Sequence, residues 1–265
     1  MSKNKAAITR GARRRKEVER RGKAENQIED TKIITEGQQP WTFGEVMDRL
    51  GLLAKTSKAT RDIIQMTGAA AEELARKSLK VISCHSCTAP KGCCTFSTMA
   101  YLYEVVPLAA RLLREGRDTE DLRAQLAAAA DRMENTPARA IRRPCVFLDP
   151  QERCTVYEDR PSACGSHFVF SEPALCSSSD PGAHTEKITW PHQNYLPKFE
   201  QRFAAEAKLR QIDVPYVGAL PRMVLVCLQA WNRVDYSDFI ANECRHRTAK
   251  FLRAAAGPRT TRTST

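Results

Sequence analysis

Cys84-His-Ser-Cys87-Thr-Ala-Pro90-Lys-Gly92-Cys93-Cys94 places four thiols in eleven residues. Two residues between Cys84 and Cys87 let the backbone fold back and present both sulfurs to one ion. Pro90 and Gly92 supply the tight turn that such a metal knuckle requires. Packing does not account for the cluster, because small apolar residues have no reason to crowd beside Pro and Gly. A second series follows at Cys145, Cys154, Cys164 and Cys176, so eight of the ten cysteines lie between residues 84 and 176. The rest of the chain is read outward from this cysteine-rich site.

Of the 265 residues, 42% are hydrophobic, enough for a core without disulfide staples. The basic N-terminus is not followed by an apolar run, so no signal peptide is expected. The most apolar stretch, Ala219 to Trp231, contains Pro221 and Arg222 and is far shorter than the roughly 20 residues a bilayer requires, so no membrane span is expected. A cytoplasmic setting follows, in which the cysteines are thiols or metal ligands. The net charge of +11 is unevenly placed. Residues 1–25 carry +7 and residues 245–265 carry +6, which leaves a body of about −2. The basic character therefore belongs to the two ends.

Residues 1–38 are polar, contain the run Arg13-Arg14-Arg15-Lys16, and have almost no large apolar residue. Such a segment cannot bury enough surface to offset its ordering entropy, so it reads as a disordered basic arm. A helical body is expected over residues 39–250, and residues 251–265 read as a basic tail. Helical periodicity starts near Trp41, with Val46, Leu50 and Leu53, and continues through Ile63, Ile64, Thr67, Ala71 and Leu74 to about Leu79, as one long helix or two. Gly44, Gly51 and Gly68 argue against an unbroken rod. Ser97 is the expected N-cap of a helix running to about Glu115, with Pro107 inside it. A second helix is expected from Asp118 or Thr119 to just before Pro137, forming an αα-hairpin joined at Gly116. The run from Cys145 to Tyr157 reads as a small β-hairpin turning at Asp149 and Pro150. Arg160-Pro161-Ser-Ala-Cys164 reads as a Pro-started turn or short helix, and further helices are expected over 195–212, 220–232 and 236–255. The fold class expected is mainly α (α+β), a helical body around a cysteine-rich metal site.

The candidate metal ligands are Cys84, Cys87, Cys93, Cys94, Cys145, Cys154, Cys164 and Cys176. Thiolates are soft ligands, which favours zinc or an iron-sulfur cluster, a 4Fe-4S cluster among them, over calcium or magnesium. Neighbouring side chains diverge on a helix or strand, so Cys93 and Cys94 do not easily bind one ion together, and either one of them is a spectator or the site is polynuclear. His85 and His167 are read as surface or packing residues. Cys227 and Cys244 stand alone on helical stretches and read as core positions.

These pieces, Cys-x2-Cys with a following Cys-Cys, Pro144-Cys145-x-Phe-Leu, and Cys154-x-Val-Tyr157-Glu-x-Arg160-Pro161-x-x-Cys164, resemble the CxxCxxCC cysteine-cluster family, the YkgJ-type proteins. The resemblance covers about residues 84–176. It implies zinc or iron chelation, and the family includes the flagellin lysine N-methylase. Members commonly have Arg after the last of these cysteines, where Gly165 stands here. Four thiolates around a divalent ion leave a charge near −2, so the guanidinium of Arg160 suits a supporting role, with Tyr157 and Phe147 as a partly apolar wall.

Three functional classes are consistent with these observations. The first is a metal-binding cysteine-cluster protein. The second, by resemblance alone, is an iron-sulfur-dependent group-transfer enzyme, although no GxGxxG loop accompanies it. The third is a zinc-stabilised module that meets nucleic acid or an acidic partner through its basic ends. Deleting residues 1–37 is expected to leave the helicity of the body unchanged and to weaken retention on heparin, with a shallower salt dependence. Unaltered retention on the column would remove the arm from any polyanion contact.

Overall fold

The apolar stretch before Trp231 forms the centre of the molecule. In the computed structural model, Leu220–Ala230 is a helix in which every residue but Gln229 is buried, as expected of a helix that is apolar all round. The structure describes residues 40–85, 92–172, 175–176 and 195–256. The basic arm, Cys87 and the residues past Ala256 lie outside the described residues.

Among the described residues there are eight α-helices, α1 (Phe43–Arg49), α2 (Leu52–Ser78), α3 (Leu102–Arg114), α4 (Glu120–Asn135), α5 (Ser162–Gly165), α6 (Leu196–Glu206), α7 (Leu220–Ala230) and α8 (Tyr236–Ala256). Two three-residue strands, β1 (Met99–Tyr101) and β2 (Val217–Ala219), pair antiparallel with Met99 opposite Ala219 and Tyr101 opposite Val217. The mainly helical class is as expected.

The stripe from Trp41 to Leu79 divides at Gly51, whose φ of 60° ends one helix and starts the next, while Gly68 is carried inside α2. Thr42 caps α1 in a reciprocal box with Glu45. The next helix starts later than expected. Ser97 does not cap it, because the chain first makes β1 and turns helical only at Leu102. The cap is supplied from within, as the Glu104 carboxylate accepts the Tyr101 N–H at 2.9 Å. Thr119 caps α4 by accepting the Leu122 N–H, and Gly116 (φ 65°) makes the turn before it. The expected αα-hairpin does not form as a packed pair. α3 and α4 each lie principally against α7, which is more apolar than either and draws both.

Charge is admitted to this core where it is paired. Arg222 on α7 is buried and donates from Nε to Glu134 on α4 at 2.8 Å, and Arg247 on α8 reaches the same carboxylate at 3.4 Å. Leaving either charge of a buried pair alone would cost about 3–5 kcal/mol. Of the C-terminal basic residues, Arg245, Arg247, Lys250 and Arg253 belong to α8, so that cluster is partly a helix face.

Glu200 on α6 is also buried and accepts the Tyr103 N–H at 3.2 Å, while its Oε1 has no hydrogen-bond partner among the described residues. Burial pushes its carboxyl well above the ordinary value near 4.5, with the carboxylate of Glu104 adding to the effect. A carboxyl that holds its proton more tightly folded than unfolded makes folding proton-consuming. Its contribution is full below the unfolded value and is lost as pH rises through the folded one. Glu200→Gln should therefore become more stable relative to the wild type as pH is raised from about 5 to about 8, read from denaturant midpoints. A constant difference across that range would show that Glu200 does not titrate there.

Candidate metal centre

Three segments bring thiols together. The first is the 3-10 turn Gly92–Thr95, carrying Cys93 and Cys94. It leads directly into β1, and the Leu220 N–H at the start of α7 donates to Thr98 O at 2.8 Å, which ties this segment to the central helix. The second segment runs beside it, with the Cys145 N–H donating to Cys94 O at 2.9 Å and the Arg143 N–H to Thr95 O at 3.2 Å. Cys154 returns to this second segment through an antiparallel bridge to Leu148, with the Thr155 N–H on Phe147 O at 2.8 Å. The expected β-hairpin is thus reduced to one bridge. Asp149 accounts for the tightness of the turn, since its Oδ1 accepts the Gln151 and Arg153 N–H groups. The third segment is α5, started by Pro161 as expected, with Cys164 in its single turn.

Five half-buried thiols interact across these segments. Cys93 donates to Cys94 and holds it below the ordinary thiol range, against the opposing influence of burial, Cys145, Cys164 and Cys154. Burial pushes Cys145 up, and nearby Cys154 pushes it further. Cys164 is driven furthest up, by burial and then by Cys145 and Cys154, although the Thr98 hydroxyl bonds it and draws it back. Thiolates so placed repel one another, and a bound cation reverses that balance. The adjacent pair departs from expectation. The 3-10 turn Gly92–Thr95 is neither α-helix nor strand, and it brings the Cys93 and Cys94 sulfurs within hydrogen-bond reach of each other instead of letting them diverge.

Other expected residues stand apart from this group. Cys84 donates to His167 O at 3.4 Å and packs against the small cluster of Ala71, Ala75 and Ile82. Its neighbour Ser83 donates its N–H to Val169 O, so the first cysteine segment lies along the stretch just past Cys164. Cys176 is buried, and Cys87 is outside the described residues. Cys227 and Cys244 are buried in the core helices, as expected, with both thiols pushed up by burial. Arg160 lies over the Tyr157 ring at 4.0 Å, while Asp159 pairs with Arg111 at 3.2 Å. Phe147 is buried, whereas half of Tyr157 is exposed.

Three residues of the site were not anticipated. Thr98 touches Cys164, and Glu104 and Ser162 bond each other beside it. Glu104 could have been noticed as the one acid in the apolar run Leu102–Ala110, but Thr98 carries no sequence signal. Among the described residues, no three Cys, His, Asp or Glu side chains stand in an arrangement that would enclose a metal ion. The donor chemistry nonetheless fits zinc or iron, since all five neighbours are soft sulfur. A cleft of about 20 Å³ beside Cys145, edged by Phe96, Ile141, Arg143 and Leu220, has room for about one water.

Thiols from three separate segments thus converge beside the small sheet. Residues 83–193 match the CxxCxxCC family model, described as a "Putative zinc- or iron-chelating domain". No curated protein and no solved structure matches the chain.

The glycine at position 165 has a local cause. A Cβ at this position would fall 2.4 Å from Ile64 Cδ1 and 2.7 Å from its Cγ1, so α5 approaches α2 too closely for any side chain unless Ile64 moves. Gly165→Ala should lower stability by about 1–3 kcal/mol through overpacking. In Ile64→Ala/Gly165→Ala the combined loss should be smaller than the sum of the single losses. Simple additivity in thermal or denaturant unfolding would contradict the contact.

Proposed function

We propose that this chain is a metal-binding protein in which Cys93, Cys94, Cys145, Cys154 and Cys164 are thiolate ligands to zinc or an iron-sulfur cluster in a reducing cytoplasm, with Cys84, Cys87 and Cys176 as further donors. The observation that carries the reading is the convergence of five thiols from three segments, each disturbing the ionisation of others. Without a cation, burial drives Cys145 and Cys164 to hold their protons. With one, the group becomes a set of strong soft ligands. Arg160 offsets part of the excess negative charge, its guanidinium held in place on Tyr157. The basic arm favours a second role alongside the first, in which the metal-bearing body is brought to RNA, DNA or an acidic surface.

Metal analysis and a visible spectrum of anaerobically purified protein test the reading. Cys94→Ser, Cys145→Ser and Cys164→Ser should each lose bound metal, whereas Cys227→Ala and Cys244→Ala should retain the full complement and lose about 1 kcal/mol of packing. Metal uptake displaces thiol protons, so apparent affinity should rise with pH and fall on acidification. Full metal content in all three serine variants would sink the assignment. Iron with acid-labile sulfide and a brown colour would select a cluster over zinc.

A further inference from the structure

Glu104 is a buried acid whose partners lie on the segments that bear the thiols. It is 2% exposed, sits in the first turn of α3, and spends both oxygens on the backbone around the thiols. Oε2 accepts the Tyr101 N–H at 2.9 Å, at the end of the strand that follows Cys93, Cys94 and Thr98. Oε1 accepts the Ser162 N–H at 2.8 Å and the Ser162 hydroxyl, at the first residue of the turn that carries Cys164. One carboxylate thus joins two segments that are 58 residues apart in sequence. α5 is four residues long and has no side-chain cap of its own, so this carboxylate meets N–H groups that would otherwise be left without partners. On its other side, α5 is pressed against Ile64 at Gly165. Its position is therefore set by one apolar contact and one hydrogen-bonded clamp.

We propose that Glu104 is the positioning residue of the thiol centre, holding Cys164 in register with Cys93 and Cys94 through Ser162 and Tyr101. The proposal rests on the metal-binding reading for its consequence, although the clamp itself can be tested without metal. Three features distinguish it from ordinary core packing. The acid is buried in a run of apolar residues, its partners lie on the segments that bear the thiols, and Thr98, immediately before β1, reaches the Cys164 sulfur. Glu200 offers the natural comparison. It is equally buried and accepts the neighbouring Tyr103 N–H, but makes no hydrogen bond to either thiol-bearing segment.

The full chain, as Glu104→Gln, Glu104→Ala, Ser162→Ala and Glu200→Gln, provides the test, with cobalt(II) as the metal probe. Two quantities are read. One is cobalt affinity and the thiolate-to-cobalt charge-transfer spectrum. The other is the iodoacetamide labelling rate of individual cysteines in the metal-free protein, followed by mass spectrometry, with core Cys227 reporting global unfolding. Glu104→Gln keeps the shape of the side chain but turns an amide towards one of the N–H donors, so it tests the clamp even if Glu104→Ala does not fold. The expected result is cobalt binding about 10- to 100-fold weaker in the Glu104 variants, the range typical when a residue that orients metal ligands is lost. The spectrum should change and Cys164 labelling should rise severalfold while Cys227 stays protected. Ser162→Ala should shift the same way by less, and Glu200→Gln should leave affinity and Cys164 labelling at wild-type values. Unchanged Cys164 labelling and cobalt affinity in Glu104→Gln would overturn the proposal, as would a parallel rise of Cys164 and Cys227 labelling. If the wild type takes up no cobalt, the metal-binding reading fails, and the contrast between Cys164 and Cys227 labelling still decides the clamp.

Discussion

The constraint on which the structure depends is the burial of α7, in which every residue but Gln229 is covered. A helix that is apolar on every face gains most when every face is covered, and α3, α4 and α8 are arranged to do this. That arrangement brings Arg222 inside, where Glu134 must follow it, and it sets β2 immediately before α7 against β1 immediately before α3. Both helices therefore leave the same two-stranded ribbon. The thiol segments attach at this point, through the bond from the Leu220 N–H to Thr98 O.

The centre and the core are consequently built by different means. The core around α7 consists of apolar contacts, one buried ion-pair cluster and the two buried thiols Cys227 and Cys244. The centre is a set of short irregular segments with little apolar surface of its own, held by backbone bonds such as Cys145 N–H to Cys94 O and by the Glu104 carboxylate. A bound structural metal can contribute about 10–16 kcal/mol, comparable with the about 5–15 kcal/mol of a whole domain. Here that energy would go first into ordering these segments.

Acidic groups in the interior divide by what they touch. Glu134 is matched by arginines and stays an ionic element of the core. Glu200 is matched by one backbone N–H and tends towards the neutral acid. Glu104 lies between these cases. Burial raises it, while the Ser162 hydroxyl and the Tyr101 and Ser162 N–H groups draw it back. Three donors converging on one carboxylate make a stiff junction, which is what a short turn bearing a ligand needs.

From the amino-acid sequence, without coordinates, the helical class could be read, along with most helix spans, the Pro-started turn at Cys164, the core role of Cys227 and Cys244, and the family of the cysteine motif. These are local properties. A 3.6-residue apolar period, a capping threonine before α4 and the spacing of thiols are all visible within a few residues of chain. What only the tertiary structure decided is non-local. The pairing of Met99 with Ala219 lets a strand replace the helical turn expected after Ser97, because the ladder partner lies far along the chain. The separation of α3 from α4 is decided by the greater apolarity of α7. The meeting of Cys93, Cys94, Cys145, Cys154 and Cys164 depends on those same distant pairings, and spacing alone does not reveal which sulfurs become neighbours. Gly165 is small because of Ile64, about a hundred residues earlier, and an acid at position 104 is bonded by Ser162, 58 residues later. Neither reason is present in the residues that flank them.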